Sequence, residues 1–126
     1  MEIHHPTTDS AIETCFDVMR ELRPHLIREE FLPQIRRQET QGYRIAAVRE
    51  DGIVTSVAGY RITEFLIWGK FIYIDDLVTG TAHRGRGHAG ALLSWIIDHA
   101  RAIGCNNVQL DSGFTLHPAH KLYQAK

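Results

Sequence analysis

Residues 75–90 read Asp75-Asp76-Leu77-Val78-Thr79-Gly80-Thr81-Ala82-His83-Arg84-Gly85-Arg86-Gly87-His88-Ala89-Gly90. An apolar run carrying two acids passes into a loop of glycines and arginines, and the loop opens an amphipathic pattern over about residues 88–103. Strand, glycine-rich basic loop and helix together suit a phosphate group. The unpaired N–H groups of a helix N-terminus and the positive end of its dipole attract an anion. Glycines let the backbone come close to it. Arg84 and Arg86 hold charge that does not titrate near neutral pH. A solvated turn bearing two arginines is the plainer alternative. Two arginines interleaved with two glycines at a helix start weigh against it.

Working outward, Leu92, Leu93, Trp95, Ile96, Ile97 and Ala100 give the helix a wide apolar face, and Gly104 suits its C-terminal cap. Asn107–Asp111 reads as a short strand, and residues 117–125 as the start of a further helix with Pro118 in its first turn. Upstream, Phe71–Val78 is the most apolar strand, preceded by a turn at Gly69-Lys70. Tyr43–Arg49 and Ile53–Ile62 form a hairpin about Glu50-Asp51-Gly52, with its Asp-Gly turn signal. A helix is predicted over residues 9–23, capped by Asp9 or Ser10, with Ile12, Phe16, Met19 and Leu22 near one face and Pro24 ending it. A second covers residues 28–39, its apolar face Phe31, Leu32 and Ile35 and its early turns carrying Pro33. The order helix, helix, strand, strand, strand, helix, strand, helix predicts one layered α/β (α+β) domain.

The 126 residues are one domain's worth, with 44% hydrophobic and 23% charged residues, an ordinary globular mix. A formal net charge of −1 argues against a chain that coats nucleic acid. No apolar run approaches the ~18 residues of a membrane-spanning helix, and the N-terminal residues lack a secretory pattern. A cytoplasmic protein without nucleic-acid or membrane partners is therefore expected, with Cys15 and Cys105 reduced and buried. His117 and His120 have a ligand-like spacing but no third partner, so no metal is expected. His4, His5, His83 and His88 are expected in solvated or loop-capping roles, and His99 in a structural one.

Three phosphate-binding patterns compete for the loop. A P-loop would end in Gly-Lys-Ser/Thr, which is absent. The dinucleotide fingerprint fits literally as Gly85-x-Gly87-x-x-Gly90, with Asp111 about 20 residues on. Yet the strand ends well before Gly85, the unit lies late in a short chain, and two adjacent acids have no place in that pattern. Arg84-x-x-Gly87-x-Ala89 resembles the acyl-CoA pyrophosphate signature of the GNAT acetyltransferase superfamily. Tyr73-Ile74-Asp75-Asp76-Leu77-Val78 upstream and His117-Pro118-Ala119-His120-Lys121-Leu122-Tyr123 downstream strengthen the resemblance, which follows the family's element order along nearly the whole chain.

The resemblance implies a GNAT-like fold, a central mixed, mostly antiparallel sheet flanked by helices. It implies acetyl-CoA as cosubstrate and transfer of an acetyl group to a primary amine of a small molecule or peptide. Backbone groups of Leu77, Val78 and Thr79 would pair with the pantetheine arm, and those of Arg84, Gly85, Arg86, Gly87, His88 and Ala89 with the pyrophosphate. Asp75 would be the base, matched through Tyr73-Ile74-Asp75-Asp76, and Tyr123 the acid that protonates the leaving sulfur. The loop Arg20–His25 would line the acceptor cleft, with Tyr60 and Trp68 as apolar walls. The chemistry agrees: an alkylamine with pKa near ~10 is protonated at neutral pH, and a nearby carboxylate can relay that proton. Because strand residues alternate faces, only one of Asp75 and Asp76 is predicted to face the cleft, the other capping the loop or pairing with Arg84. Two departures stand out. Leu116 occupies a position where many members carry Asn, and the chain stops at Lys126 where the family continues with further strands. A C-terminally short acetyltransferase domain, residues 1–126, is thus expected, with the strand at 107–111 left as an edge. Further residues, or a second copy in a homodimer, would cover it. A non-catalytic acyl-CoA-binding or regulatory module is the alternative function.

Overall fold

Two faces of one sheet divide the apolar residues between them. The computed structural model of the chain describes residues 1–110. Its elements are β1 (Glu2–His4), α1 (Asp9–Glu13), α2 (Phe16–Leu22), α3 (Arg28–Glu39), β2 (Tyr43–Glu50), β3 (Ile53–Phe65), β4 (Gly69–Thr79), a 3-10 turn (Thr81–His83), α4 (His88–Ala102) and β5 (Asn107–Leu110). The strands lie in sequence order, antiparallel from β1 to β4, with β5 parallel to β4. This is the mixed, mostly antiparallel sheet flanked by helices that was expected. A parallel neighbour needs a crossover, and α4 supplies it. Ala46, Val48, Ala58, Tyr60, Ile72 and Ile74 pack on Leu92, Leu93, Ile96 and Ala100 of α4. On the opposite face, Tyr43, Ile45, Ala47, Val57 and Val78 pack on Ile12, Phe16, Met19, Phe31 and Ile35 of α1–α3.

The β2–β3 turn places Asp51 at φ 54° and Gly52 at φ 77°, the paired left-handed geometry that a two-residue hairpin requires. Four differences from the sequence reading have local causes. The single helix over 9–23 is two helices, broken at Thr14-Cys15, where the Thr14 hydroxyl donates to the Ala11 carbonyl at 2.6 Å instead of leaving the ladder undisturbed. Thr8, not Asp9 or Ser10, caps α1, its Oγ1 accepting from Ala11 N–H at 3.2 Å. Residues 2–4 form an edge strand on β2, too short to carry a periodic signal. The β3–β4 turn lies at Leu66–Trp68, because β3 runs on to Phe65 and β4 already begins at Gly69. Cys15 and Cys105 are buried thiols, that of Cys15 pushed up to about 11 by burial. Among the described residues no helix is long and apolar enough to cross a membrane. The predicted helix over 117–125, with His117, His120 and Tyr123, lies outside the described residues, as does Asp111.

Candidate active site

Both acids of β4 face the same way. Along the β3–β4 ladder Leu77 pairs with Ala58 and Asp76 with Gly59, but Tyr60 pairs with Ile74, so Asp75 is one residue too many on β4. Such a bulge resets the alternation of side chains. Ile72, Ile74 and Leu77 therefore go to the α4 core, while Tyr73, Asp75 and Asp76 line one cavity of about 350 Å³ on the opposite face, with Arg23, His25, Tyr43 and Arg61. The prediction that only one acid could face the cleft is corrected by this bulge.

The two carboxylates differ in what they hold. Asp76 Oδ1 accepts from Arg23 Nε at 2.9 Å and its Oδ2 from the Tyr43 hydroxyl at 2.8 Å, so both oxygens are engaged. Its partner is Arg23 rather than the expected Arg84. Arg23 also donates to the Asp75 carbonyl at 3.1 Å, bracing the bulge. Burial, followed by the neighbouring Asp76 charge, raises the Tyr43 pKa well above that of an ordinary phenol, so its hydroxyl remains a donor. Gly59 makes room for that hydroxyl: a Cβ there would overlap it. Asp75 Oδ2 accepts from Arg61 Nε at 2.7 Å, whereas Oδ1 is buried without a partner among the described residues. Burial raises the Asp75 pKa, against the lowering by the Arg61 hydrogen bond and charge. Tyr43, Gly59 and Arg61 carried no signal in the sequence, because their roles depend on cross-strand register.

A second bulge builds the phosphate loop. Between β2 and β3 the register slips past Thr55. The Thr55 carbonyl accepts from Gly80 N–H at 2.8 Å, pinning the start of the loop. Its hydroxyl lies 2.7 Å from Nδ1 of His88. That imidazole is buried, which excludes the solvated one of its two expected roles, solvated or loop-capping, and its Nε2 is 3.8 Å from Glu50. Arg86 pairs with the same Glu50 at 3.1 Å. Glu21 at the end of α2 accepts from the N–H and hydroxyl of Thr81 at 2.9 and 2.6 Å, tying the acid cavity to the loop and lowering the Glu21 pKa. Gly87 then starts α4 at φ 80°, with no side-chain cap and no acid in the first turn. The N–H groups of the first turn lack helical partners. They open on a cavity of about 310 Å³ lined by Thr79, Arg84, Gly85, Gly87, His88 and Ala89. Nothing lies within 4 Å of where a Cβ at Gly85 or Gly87 would point. This donor set and open approach fit an anionic phosphate. Past Ile74, β4 carries on through Leu77, Val78 and Thr79 with β3 as its ladder partner among the described residues.

Two further expectations change. Tyr60 is fully buried on the α4 face with His5 Nε2 3.0 Å from its hydroxyl, so it walls no cleft on the acid side. His5 stacks on Tyr60, and His4 sits in β1 with Nδ1 buried; burial lowers the pKa of both rings. Trp68 does border the acid face, and Arg23 and His25 of the first interhelical loop line the cavity.

A sequence model of the Acetyltransferase (GNAT) family matches residues 9–126. The uncharacterized N-acetyltransferase YhdJ of Bacillus subtilis (strain 168) is 30% identical over 112 residues, covering 88% of this chain and 79% of that protein. Glucosamine-6-phosphate N-acetyltransferase from Arabidopsis thaliana superposes with a TM-score of 0.77 at 20% identity, over 97% of this chain and 88% of that one. An aminoglycoside N-acetyltransferase solved in complex with CoA gives 0.76 at 16% identity, over 98% and 84%. At these identities the two structures are similar in fold.

Proposed function

The chain belongs to the Acetyltransferase (GNAT) family and is an N-acetyltransferase; on that footing we propose that acetyl-CoA is its donor, a primary amine of a small molecule or peptide its acceptor, Asp75 its base and Tyr123 its acid. The observation that carries the reading is the Oδ1 of Asp75, buried and without a partner among the described residues. It stands at a bulge in the strand that leads directly into an uncapped helix N-terminus. When bound, acetyl-CoA supplies the acetyl group as an activated thioester. Backbone N–H groups across Arg84, Gly85, Arg86, Gly87, His88 and Ala89 would hold its phosphates, and backbone groups of Leu77, Val78 and Thr79 its pantetheine arm. That an aminoglycoside N-acetyltransferase of the same fold was solved in complex with CoA supports acetyl-CoA as the donor.

Asp75 is suited to its task by its two unlike oxygens. Arg61 fixes the carboxylate through Oδ2 and leaves Oδ1 to accept a proton from the incoming ammonium group. A carboxylate whose pKa is raised by burial is a stronger base than an ordinary one, which narrows the gap to the amine's ~10. Asp76, with both oxygens engaged, positions the bulge instead. Tyr123, outside the described residues, would return a proton to the leaving sulfur. The family match over residues 9–126 supports reading residues 1–126 as a single acetyltransferase domain. Two buried thiols suit a reducing, cytoplasmic setting. The test is thiol release from acetyl-CoA with a panel of primary amines. Amine-dependent release is expected, and acetyl-CoA binding without release would contradict the proposal.

A further inference from the structure

Beside the acid cavity, the same sheet face carries a second hollow of about 460 Å³, walled chiefly by Phe65, Trp68, Phe71, Tyr73 and Leu110. Its size falls within the ~300–1,000 Å³ of small-molecule pockets. Three rings form its end. Phe65 stacks on Trp68 at 5.5 Å, and Phe71 meets them edge-on at 4.8 and 5.1 Å. Phe71 is buried at 1% exposure, but Phe65 and Trp68 stand 48% and 39% exposed, so two aromatic faces remain uncovered among the described residues. Arg61 and Tyr73 wall both hollows. The aromatic surface is thus continuous with the cavity that Asp75 lines.

Charge narrows the occupant further. Asp75 pairs with Arg61 and Asp76 with Arg23, one to one. Four of the cavity's ionisable groups therefore cancel, with His25, Tyr43 and Tyr73 the other titratable groups lining it. A polycationic acceptor would meet no uncompensated acid there, and a phosphorylated one no uncompensated guanidinium. Among the described residues one carboxylate oxygen of the pair, Asp75 Oδ1, is left without a partner, enough for a single ammonium group. We infer that the acceptor is a primary amine with a bulky apolar or aromatic body and no second charge. Its amino end lies at Asp75 Oδ1 and its body on Trp68 and Phe65. This inference rests on the N-acetyltransferase reading above and adds the substrate class.

The experiment compares kcat/KM for thiol release with tryptamine, 2-phenylethylamine, ethylamine, kanamycin and glucosamine 6-phosphate. Burying a ring on this surface is expected to favour tryptamine over ethylamine by at least about tenfold, with the polycation and the sugar phosphate poorer than either aromatic amine. Trp68→Ser, at a position 39% exposed, should collapse the tryptamine-to-ethylamine ratio toward one and leave the KM for acetyl-CoA as it was. A wild-type ratio near one means that the hollow is closed to the acceptor, by another segment of the chain or by a second copy, and overturns the inference. So does preference for kanamycin or glucosamine 6-phosphate, although acetyl transfer itself then stands. No thiol release with any of these amines would remove both readings together.

Discussion

Replacing Gly59 by alanine puts a methyl group where the Tyr43 hydroxyl sits. Neither side can yield cheaply. Gly59 is held in the β3–β4 ladder opposite Asp76, and Tyr43 is 1% exposed, its ring end fixed by the bond to Asp76. The tyrosine must tilt and release that bond. A hydrogen bond to a charged partner contributes about 1.5–3 kcal/mol, and overpacking a core costs about 1–3 kcal/mol. Alanine's smaller entropy loss in a strand recovers only about 0.5–1 kcal/mol, so the expected net destabilisation is about 2–5 kcal/mol. At roughly 3–6 °C per kcal/mol for a domain of this size, Tm should fall by roughly 6–30 °C by circular dichroism. The control is a double-mutant cycle. With Tyr43→Ala already made, Gly59→Ala enters vacated space and should cost little, giving a coupling close to the full cost of the single change. Additive costs, or an unchanged Tm in the single variant, would refute the contact and with it the explanation of how Asp76 is held.

Three other outcomes are expected. Gly87→Glu places a carboxylate among the amide donors at the start of α4 and should weaken acetyl-CoA binding more than about tenfold by calorimetry; Gly87→Ala, with the same positive-φ strain and no charge, should lose less. Tyr123→Phe should lower kcat toward the small end of the ~10²–10⁴-fold range of general acid catalysis, with acetyl-CoA affinity kept, because a thiolate is a fairly good leaving group; a full-rate Phe variant would remove Tyr123 from the mechanism. Asp75 has a folded pKa raised above its ordinary 3.8, so its stabilising contribution is complete below that pH and is lost as pH rises through the folded value. Asp75→Asn should therefore be at least as stable as wild type at neutral pH, with its relative advantage shrinking as pH falls through the raised folded value and gone below the ordinary 3.8; a large drop in Tm at neutral pH would show that the Arg61 pair outweighs burial.

What the chain revealed in advance was local. The α4 pattern, the Asp51-Gly52 turn and the run of glycines and arginines each depend on neighbours a few residues apart, and all three fold as read. The acid pair was visible, but its orientation was not. That orientation comes from a bulge opposite Gly59, where Tyr43, 33 residues from Asp76, has its hydroxyl. Tyr60 and Ala58, two apart on β3, share a face by strand alternation, but nothing local says that this face meets α4. Arg61 lies one residue further along and so reaches Asp75 on the other face. Register between strands and the choice of sheet face are long-range properties, settled by packing rather than by the residues in any one window. His88 shows the same limit: a polar residue at a helix start reads as solvated or loop-capping, and the burial that excludes the first comes with Thr55 beneath it.

The role of Asp75 as base is tested most directly by the pH dependence of amine-dependent thiol release in wild type and Asp75→Asn. Rates are compared from about pH 6 to about pH 10, where the amine's own pKa lies near ~10. The Asn variant keeps the shape of the side chain and loses only the ability to take a proton. Its deficit should be largest at the low end and shrink steadily as the amine becomes neutral without help, while acetyl-CoA affinity stays close to that of wild type. A deficit equal at every pH, or no deficit at all, would contradict the assignment and leave Asp75 as a structural partner of Arg61.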